Sequence, residues 1–197
     1  MAISSIHGSL ELFRWMIAHG MPRVGSIAPP RVAELGNQRL FDNIRTTGKI
    51  ICECLGFEHV SFDSNGKDGA VPHDLCTPIP DIYRGFDYVT NFGTSEHCQP
   101  SQSHVFANMH NLCSVGGTMF HNVPGADTCK GHGFYKYSVG WFCNLAKMNG
   151  YHPERVFEVP LGAGHRGPAG DYYVSAVLRR TSLSAFNLLA WAEPQKG

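Results

Sequence analysis

Charge of one sign is missing from this 197-residue chain: 16 basic and 16 acidic side chains cancel. Without a broad basic field, a nucleic-acid backbone or an anionic membrane finds no general electrostatic partner, and nucleic acid is disfavoured as a ligand. Long apolar runs are missing too. None approaches the roughly 20 residues needed to cross a bilayer, and residues 1–30 lack the charged-then-apolar order of an export signal. Of the seven cysteines no two form a CxxC pair, and their number is odd. That speaks against a zinc ribbon or a disulfide framework and for a reducing, cytoplasmic setting. The absent GxGxxG loop disfavours a pyrophosphate-bearing dinucleotide, and with it nicotinamide redox chemistry. No repeat, low-complexity tract or linker composition appears.

What is present is the composition of a globular domain, 43% hydrophobic and 16% charged, in a chain of single-domain length. Residues 1–30 read as an N-terminal helical segment, with Leu10, Phe13 and Ile17 at helical spacing before His19. From Arg31 to the C-terminus the text alternates. Strands are expected at Arg31 to Leu35, His59 to Phe62, Phe86 to Asn91, Thr118 to Val123 and Tyr172 to Leu178. Helices are expected from Leu40 to Leu55, Ser101 to Leu112 and Ser138 to Asn149, and Leu183 to Trp191 reads as further strand material. Such alternation with short connections predicts a single α/β domain, a mostly parallel sheet covered on both faces. Ligands of such sheets bind beyond the carboxyl ends of the strands.

Chemically useful side chains fall at those ends. Glu34 and Gly36 close the first strand, and a glycine there lets a ligand approach the backbone. An ordinary left-handed turn explains the same glycine equally well. Asp63 closes the second strand, where an acceptor-only carboxylate suits two ribose hydroxyls, although Asp63-Ser64-Asn65-Gly66 is also a good turn sequence. Asp74 suits an adenine amino group or, as readily, solvent. After the third strand come Glu96 and His97, with His121 on the neighbouring strand and His132 in a glycine-flanked loop. A lone histidine is most often structural; three histidines and a glutamate converging on one sheet edge make a catalytic or metal role as plausible as that.

Taken in order, these residues resemble the class I methyltransferases that use S-adenosylmethionine (SAM). Glu34-Leu35-Gly36 looks like the family's first motif, Asp63 like the acid closing its second strand, and Asp74-Leu75 like its adenine-side pair. Phe86-Asp87-Tyr88-Val89-Thr90 looks like its fourth-strand motif, and Val115-Gly116-Gly117 like the turn before the fifth strand. The likeness runs from about Arg31 to Leu178 and implies a Rossmann-like domain over residues 31–197 with a seven-stranded sheet. It implies SAM held by Glu34, Gly36, Asn37, Asp63, Asp74 and Asn91, and methyl transfer to O or N of a small-molecule acceptor. Two departures stand out: Asn37-Gln38 replace the expected glycines, and the interval from Gly36 to Asp63 is long.

Glu96-His97 further resembles the end of the Glu-x-x-Glu-His motif of ubiquinone-pathway and small-RNA O-methyltransferases, with Gly93 where the first glutamate would stand. That likeness implies a divalent metal ion on Glu96, His97 and His121, or His132 in its place. Without a metal, His97, His121 or His132 serves as general base, with Glu96 beside it. A SAM-binding partner or regulatory subunit without transferase activity is the alternative that the eroded first motif keeps open, and a homodimer is compatible with either reading.

Overall fold

The computed structural model describes residues 2–3, 9–20, 28–40, 46–161 and 169–197. Its centre is a six-stranded sheet made of β1 (Arg31–Leu35), β2 (Glu58–Phe62), β3 (Phe86–Phe92), β4 (Cys113–Pro124), β5 (Tyr151–Pro160) and β6 (Tyr172–Arg180). The spatial order is β2-β1-β3-β4-β6-β5. The first four strands pair in parallel, and β6 runs antiparallel to both β4 and β5. One strand of six is thus reversed, as a mostly parallel α/β domain requires.

The expected seventh strand is reduced. Outside β2, on the free edge, only Val71 makes a parallel bridge, to Phe62. Gly66, Gly69, Pro72 and Pro78 crowd the neighbouring chain, and Asp68 takes a left-handed backbone with φ 54°. That composition breaks a ladder after one rung.

Four α-helices lie among the described residues: α1 (Ser9–Gly20), α2 (Gly48–Cys54), α3 (Ser103–Leu112) and α4 (Val139–Asn149). The two-residue period of the strands divides them between two cores. Val32, Phe92, Phe120 and Val177 face α1 and α2. Ala33, Val89, Met119, Val123 and Ala176 face α3 and α4. Leu10, Phe13 and Met16 bring α1 into the first core, each buried side chain stabilising by about 1.5–3 kcal/mol. Elsewhere in the 1–30 segment, Ala2–Ile3 pair in parallel with Arg39–Leu40, residues 28–30 lead into β1, and residues 1, 4–8 and 21–27 lie outside the described ones.

Local signals explain the best-defined boundaries. Ser138 accepts a hydrogen bond from the Trp141 amide at 3.1 Å, and Gly150 ends α4 with φ 64°, a serine N-cap and a glycine C-terminal turn. Two expectations need correction. The helix expected from Leu40 to Leu55 is a seven-residue α2 capped by Thr47; Arg39–Leu40 and Thr46–Thr47 pair as short antiparallel strands, and residues 41–45 lie outside the described ones. Leu183 to Trp191 forms no strand. It carries a short 3-10 turn at Leu188–Ala190 and packs Phe186 and Trp191 onto the α3/α4 core.

Candidate functional site

A cavity of about 350 Å³ opens over the carboxyl ends of β1, β2 and β3, the position that sheet topology designates. Gly36, Asn37 and Gln38 form its floor, Asp63, Asp74 and Leu75 one wall, and Gly93, Thr94 and His97 another. Gly36 has φ 79°, and a Cβ added to it would lie 2.4 Å from Thr94 Oγ1. Thr94 Oγ1 donates to the Leu35 carbonyl at 2.8 Å and accepts from Gln38 Nε2 at 2.9 Å. The β1 turn and the β3 turn therefore close onto each other through a contact that excludes any side chain at position 36.

The structure divides the expected cofactor residues. Gly36, Asn37, Asp63 and Asp74 line the cavity together. Asp63 Oδ2 accepts the Asn37 amide at 2.9 Å and Oδ1 the Asn65 amide at 3.0 Å. The turn and the cavity-facing carboxylate are thus one residue, each oxygen keeping a further acceptor position. Asn91 lies beneath the cavity and holds the next turn: its amide donates to Ser95 Oγ at 2.9 Å and accepts the Ser95 amide at 3.0 Å. Ser95 Oγ meets Tyr137 OH, which donates to Gln102 Oε1, and Gln102 Nε2 donates to the Ser95 and Cys98 carbonyls. This buried network fixes the turn at Ser95–His97.

Glu34 is turned away from the cavity. It is 3% exposed; Oε1 accepts the Gln38 amide at 2.5 Å, and Oε2 lies 2.7 Å from His59 Nε2. A carboxylate only accepts, so that imidazole nitrogen carries the proton. Glu34 therefore orders the first loop from below. His59, which sequence reasoning passed over, is its partner because Val32↔His59 and Glu34↔Ser61 in the parallel register put Glu34 and His59 on one sheet face.

Glu96, His97 and His132 come together, and their ligating atoms lie within 4.8 Å of one another. Glu96 Oε1 is 3.7 Å from His97 Nε2 and 3.5 Å from His132 Nε2. Glu96 is fully buried, and neither of its oxygens has a hydrogen-bond partner. A buried, unbonded carboxylate is costly unless a cation compensates it. Burial pushes His97 below the ordinary imidazole pKa while the Glu96 charge pulls it back up. His97 reaches the cavity; Glu96 and His132 stand behind it.

The loop carrying His132 is docked by backbone and by a buried lysine. Phe134 donates its amide to the Glu96 carbonyl at 2.7 Å. Gly133 has φ 73°, and a Cβ there would sit 2.7 Å from Glu96 Cγ. Lys136 Nζ donates to the Cys129 and His132 carbonyls. These supports come from residues 36 or more positions beyond Glu96, and a pair of glycines flanking His132 was their only trace in the sequence.

His121 does not join the cluster. It shares its sheet face with Met119 and Val123, lies between Phe106 at 5.6 Å and Phe142 at 4.9 Å, and burial lowers its pKa to about 3. Among the described residues, the three groups close enough together to hold a metal ion are Glu96, His97 and His132, with His121 in the core behind them.

No family model matches the chain, and no curated protein does. Solved structures do. The 1,6-didemethyltoxoflavin-N1-methyltransferase of Burkholderia thailandensis, solved with 1,6-didemethyltoxoflavin and S-adenosylhomocysteine, superposes with a TM-score of 0.61 at 16% identity, covering 91% of this chain and 85% of that one. Loganic acid methyltransferase with S-adenosylhomocysteine gives 0.62 at 11% identity over 90% and 93%. A SAM-dependent methyltransferase from Mesorhizobium loti gives 0.54 at 15% identity over 85% and 98%. The chain has the Rossmann-like fold of class I SAM-dependent methyltransferases.

Proposed function

We propose that this protein is a SAM-dependent methyltransferase that methylates an oxygen or nitrogen of a small-molecule acceptor. One observation carries the reading: in a fold of this type, Asp63, Asp74 and the Gly36 turn share one cavity at the strand ends, with His97 on its opposite wall. Bound there, SAM supplies an electrophilic methyl group for in-line transfer. The Asp63 oxygens would accept from its ribose hydroxyls, and Asp74 from its adenine amino group. Gln38 Oε1, buried and without a partner, is placed to accept from the amino-acid end.

The acceptor's proton falls to His97. A proton on Nε2, the nitrogen beside Glu96, leaves Nδ1 free to take one from a hydroxyl, and the Glu96 carboxylate stabilises the imidazolium that results. The lowered pKa of His97 keeps that base neutral near pH 7.

Glu96, His97 and His132 also fit a divalent ion. Tetrahedral ligands at zinc distances stand about 3.4 Å apart, close to the 3.5 and 3.7 Å of the two Glu96–imidazole pairs. Such an ion would polarise the acceptor oxygen and balance the bare Glu96 charge. Turnover measured after chelation and after metal add-back separates the two readings. Full activity in the chelated enzyme removes the metal.

A small acceptor is favoured by the near-neutral chain and by the absence of a recognition domain among the described residues. No helix among them is long and apolar enough to cross a membrane, and seven free cysteines suit the reducing cytoplasm. Calorimetric titration with SAM, then a search for S-adenosylhomocysteine released with candidate acceptors, tests the proposal. Binding without product would favour a SAM-binding partner protein, the reading that Asn37-Gln38 in the first loop support.

A further inference from the structure

A second cavity, of about 340 Å³, lies between α1 and one face of β5 and β6. It shares no lining residue with the cofactor cavity. Its origin lies in two periodicities. Glu11, Trp15 and Ala18 recur at helical spacing along one stripe of α1, and the small Ala18 leaves open the space beside the bulky Trp15. Across from that stripe, the register Val177↔Arg155 and Ser175↔Phe157 puts Val177, Arg155 and Phe157 on one sheet face, and all three line the cavity.

The chemistry is that of a small-ligand pocket, apolar walls around one unanswered charge. Val177 is buried, and Trp15 and Phe157 are half-buried. His19 stacks on the Trp15 ring at 4.0 Å, and Phe120 lies 5.5 Å from it, so the indole is held in place before any ligand arrives. At the rim, Arg14 is answered by Glu11 at 3.4 Å. Arg155 is not answered. Its guanidinium carbon stands 5.3 Å from the centre of the Phe157 ring. The adjacent Glu154 is engaged by Arg179 at 2.8 Å, and no carboxylate among the described residues pairs with Arg155. Glu11 cancels Arg14, and Arg155 leaves the lining cationic.

We infer that this cavity is a second ligand site and that its ligand is a small planar aromatic carboxylate. The ring packs against Trp15 and Phe157 over the Val177 floor. The carboxylate takes the two-pronged pairing that a planar guanidinium offers and an ammonium does not. An uncharged ring would forgo that pairing, and an aliphatic acid would forgo the two aromatic walls.

The experiment uses the full chain with its three tryptophans replaced by 5-fluorotryptophan during expression. The probes are 2-naphthoate and its uncharged counterpart 2-naphthamide. Fluorine NMR gives one resonance per tryptophan, and Trp15→Phe identifies the one in the cavity. Trp141 and Trp191 pack on each other against the α3/α4 core; their resonances serve as internal controls and report that each variant is folded. Naphthoate should shift the Trp15 resonance alone, saturably, with a Kd of roughly 0.1–1 mM, the strength available to a ligand of about a dozen heavy atoms. The amide should bind about tenfold more weakly, and so should naphthoate to Arg155→Gln, the loss of one charged hydrogen-bonded pair. Arg155→Lys, which keeps the charge without the fork, should fall between the two. A Trp15 resonance unmoved at about 10 mM naphthoate, or shifts spread over all three tryptophans, would overturn the inference. So would an amide that binds as well as the acid, or an Arg155→Gln protein that binds as well as the parent.

Discussion

Replacing His59 by leucine leaves the Glu34 carboxylate buried with only the Gln38 amide to satisfy it. Stranding a buried carboxylate by removing the group that pairs with it costs about 3–5 kcal/mol, mostly the penalty of the stranded charge. Leucine fills much of the imidazole volume, so the cavity contribution stays small and the lower end, about 3 kcal/mol, applies. Adding Glu34→Gln keeps an oxygen for the Gln38 amide and removes the charge. The double variant should therefore recover much of the loss, ending about 1–2 kcal/mol below the parent. Guanidinium unfolding followed by tryptophan fluorescence at pH 7.5 reads both numbers, provided all variants share one m-value. A His59→Leu protein within 1 kcal/mol of the parent, or a double variant no better than the single, would refute the claim that Glu34 and His59 order the first loop as a hydrogen-bonded pair.

Other consequences follow from the same geometry. Gly133→Ala adds a Cβ 2.7 Å from Glu96 Cγ at φ 73°; left-handed strain and overpacking together should cost about 2–4 kcal/mol, seen as a Tm lower by roughly 5–15 °C, and turnover should fall even at temperatures where the variant stays folded. Because the pKa of His97 is lowered, turnover should hold constant above pH 6.5 and fall as acid protonates the base; a rise on acidification would exclude His97 from that role. Burial holds His121 at about 3 and, with Arg180 nearby, His110 at about 4. The unfolded chain takes up protons at both near pH 6.5 that the folded chain refuses, so stability should drop between pH 6.5 and 4. His121→Phe, packed between two phenylalanines, should flatten that slope in urea melts, and an unchanged slope would contradict the assignment.

Much of the framework was legible because local chemistry and tertiary context agree there. β1 matches the expected Arg31–Leu35, and Ser138 and Gly150 fixed both ends of α4 through capping alone. β5 was missed. Tyr151–Pro160 carries His152, Glu154, Arg155, Glu158 and two prolines, lies exposed on the sheet edge, and is a strand because β6 pairs with it along its length. Propensity gives no warning of such an edge. The Leu40–Leu55 helix failed for a related reason: the apolar spacing begins at Leu40, where the chain pairs with distant Ala2–Ile3 as well as with Thr46–Thr47.

The site divides along the same line. That Gly36, Asn37, Asp63 and Asp74 gather at one cavity was readable because residues at neighbouring strand ends must share one edge. Asn91 and His121 lie one structural layer below the cavity that they were expected to line. The two-residue period puts Asn91, Met119, His121 and Val123 on the α3/α4 face, and the register Asn91↔His121 pairs two of them below the cavity floor. His132 reaches Glu96 only through a loop that Gly133, Phe134 and Lys136 fold back, a closure that no spacing in the chain encodes. His59 needed the β1–β2 register before its partner could be named.

Everything functional here depends on an adenosyl group resting against Asp63. Calorimetric titration of SAM into the full chain and into Asp63→Ala tests that contact most directly. The account predicts one site per chain in the parent and an affinity weaker by roughly 10–100-fold in the variant. A parent that takes up no SAM at about 1 mM, the weak end of specific binding, or a variant that binds as tightly as the parent, would contradict it.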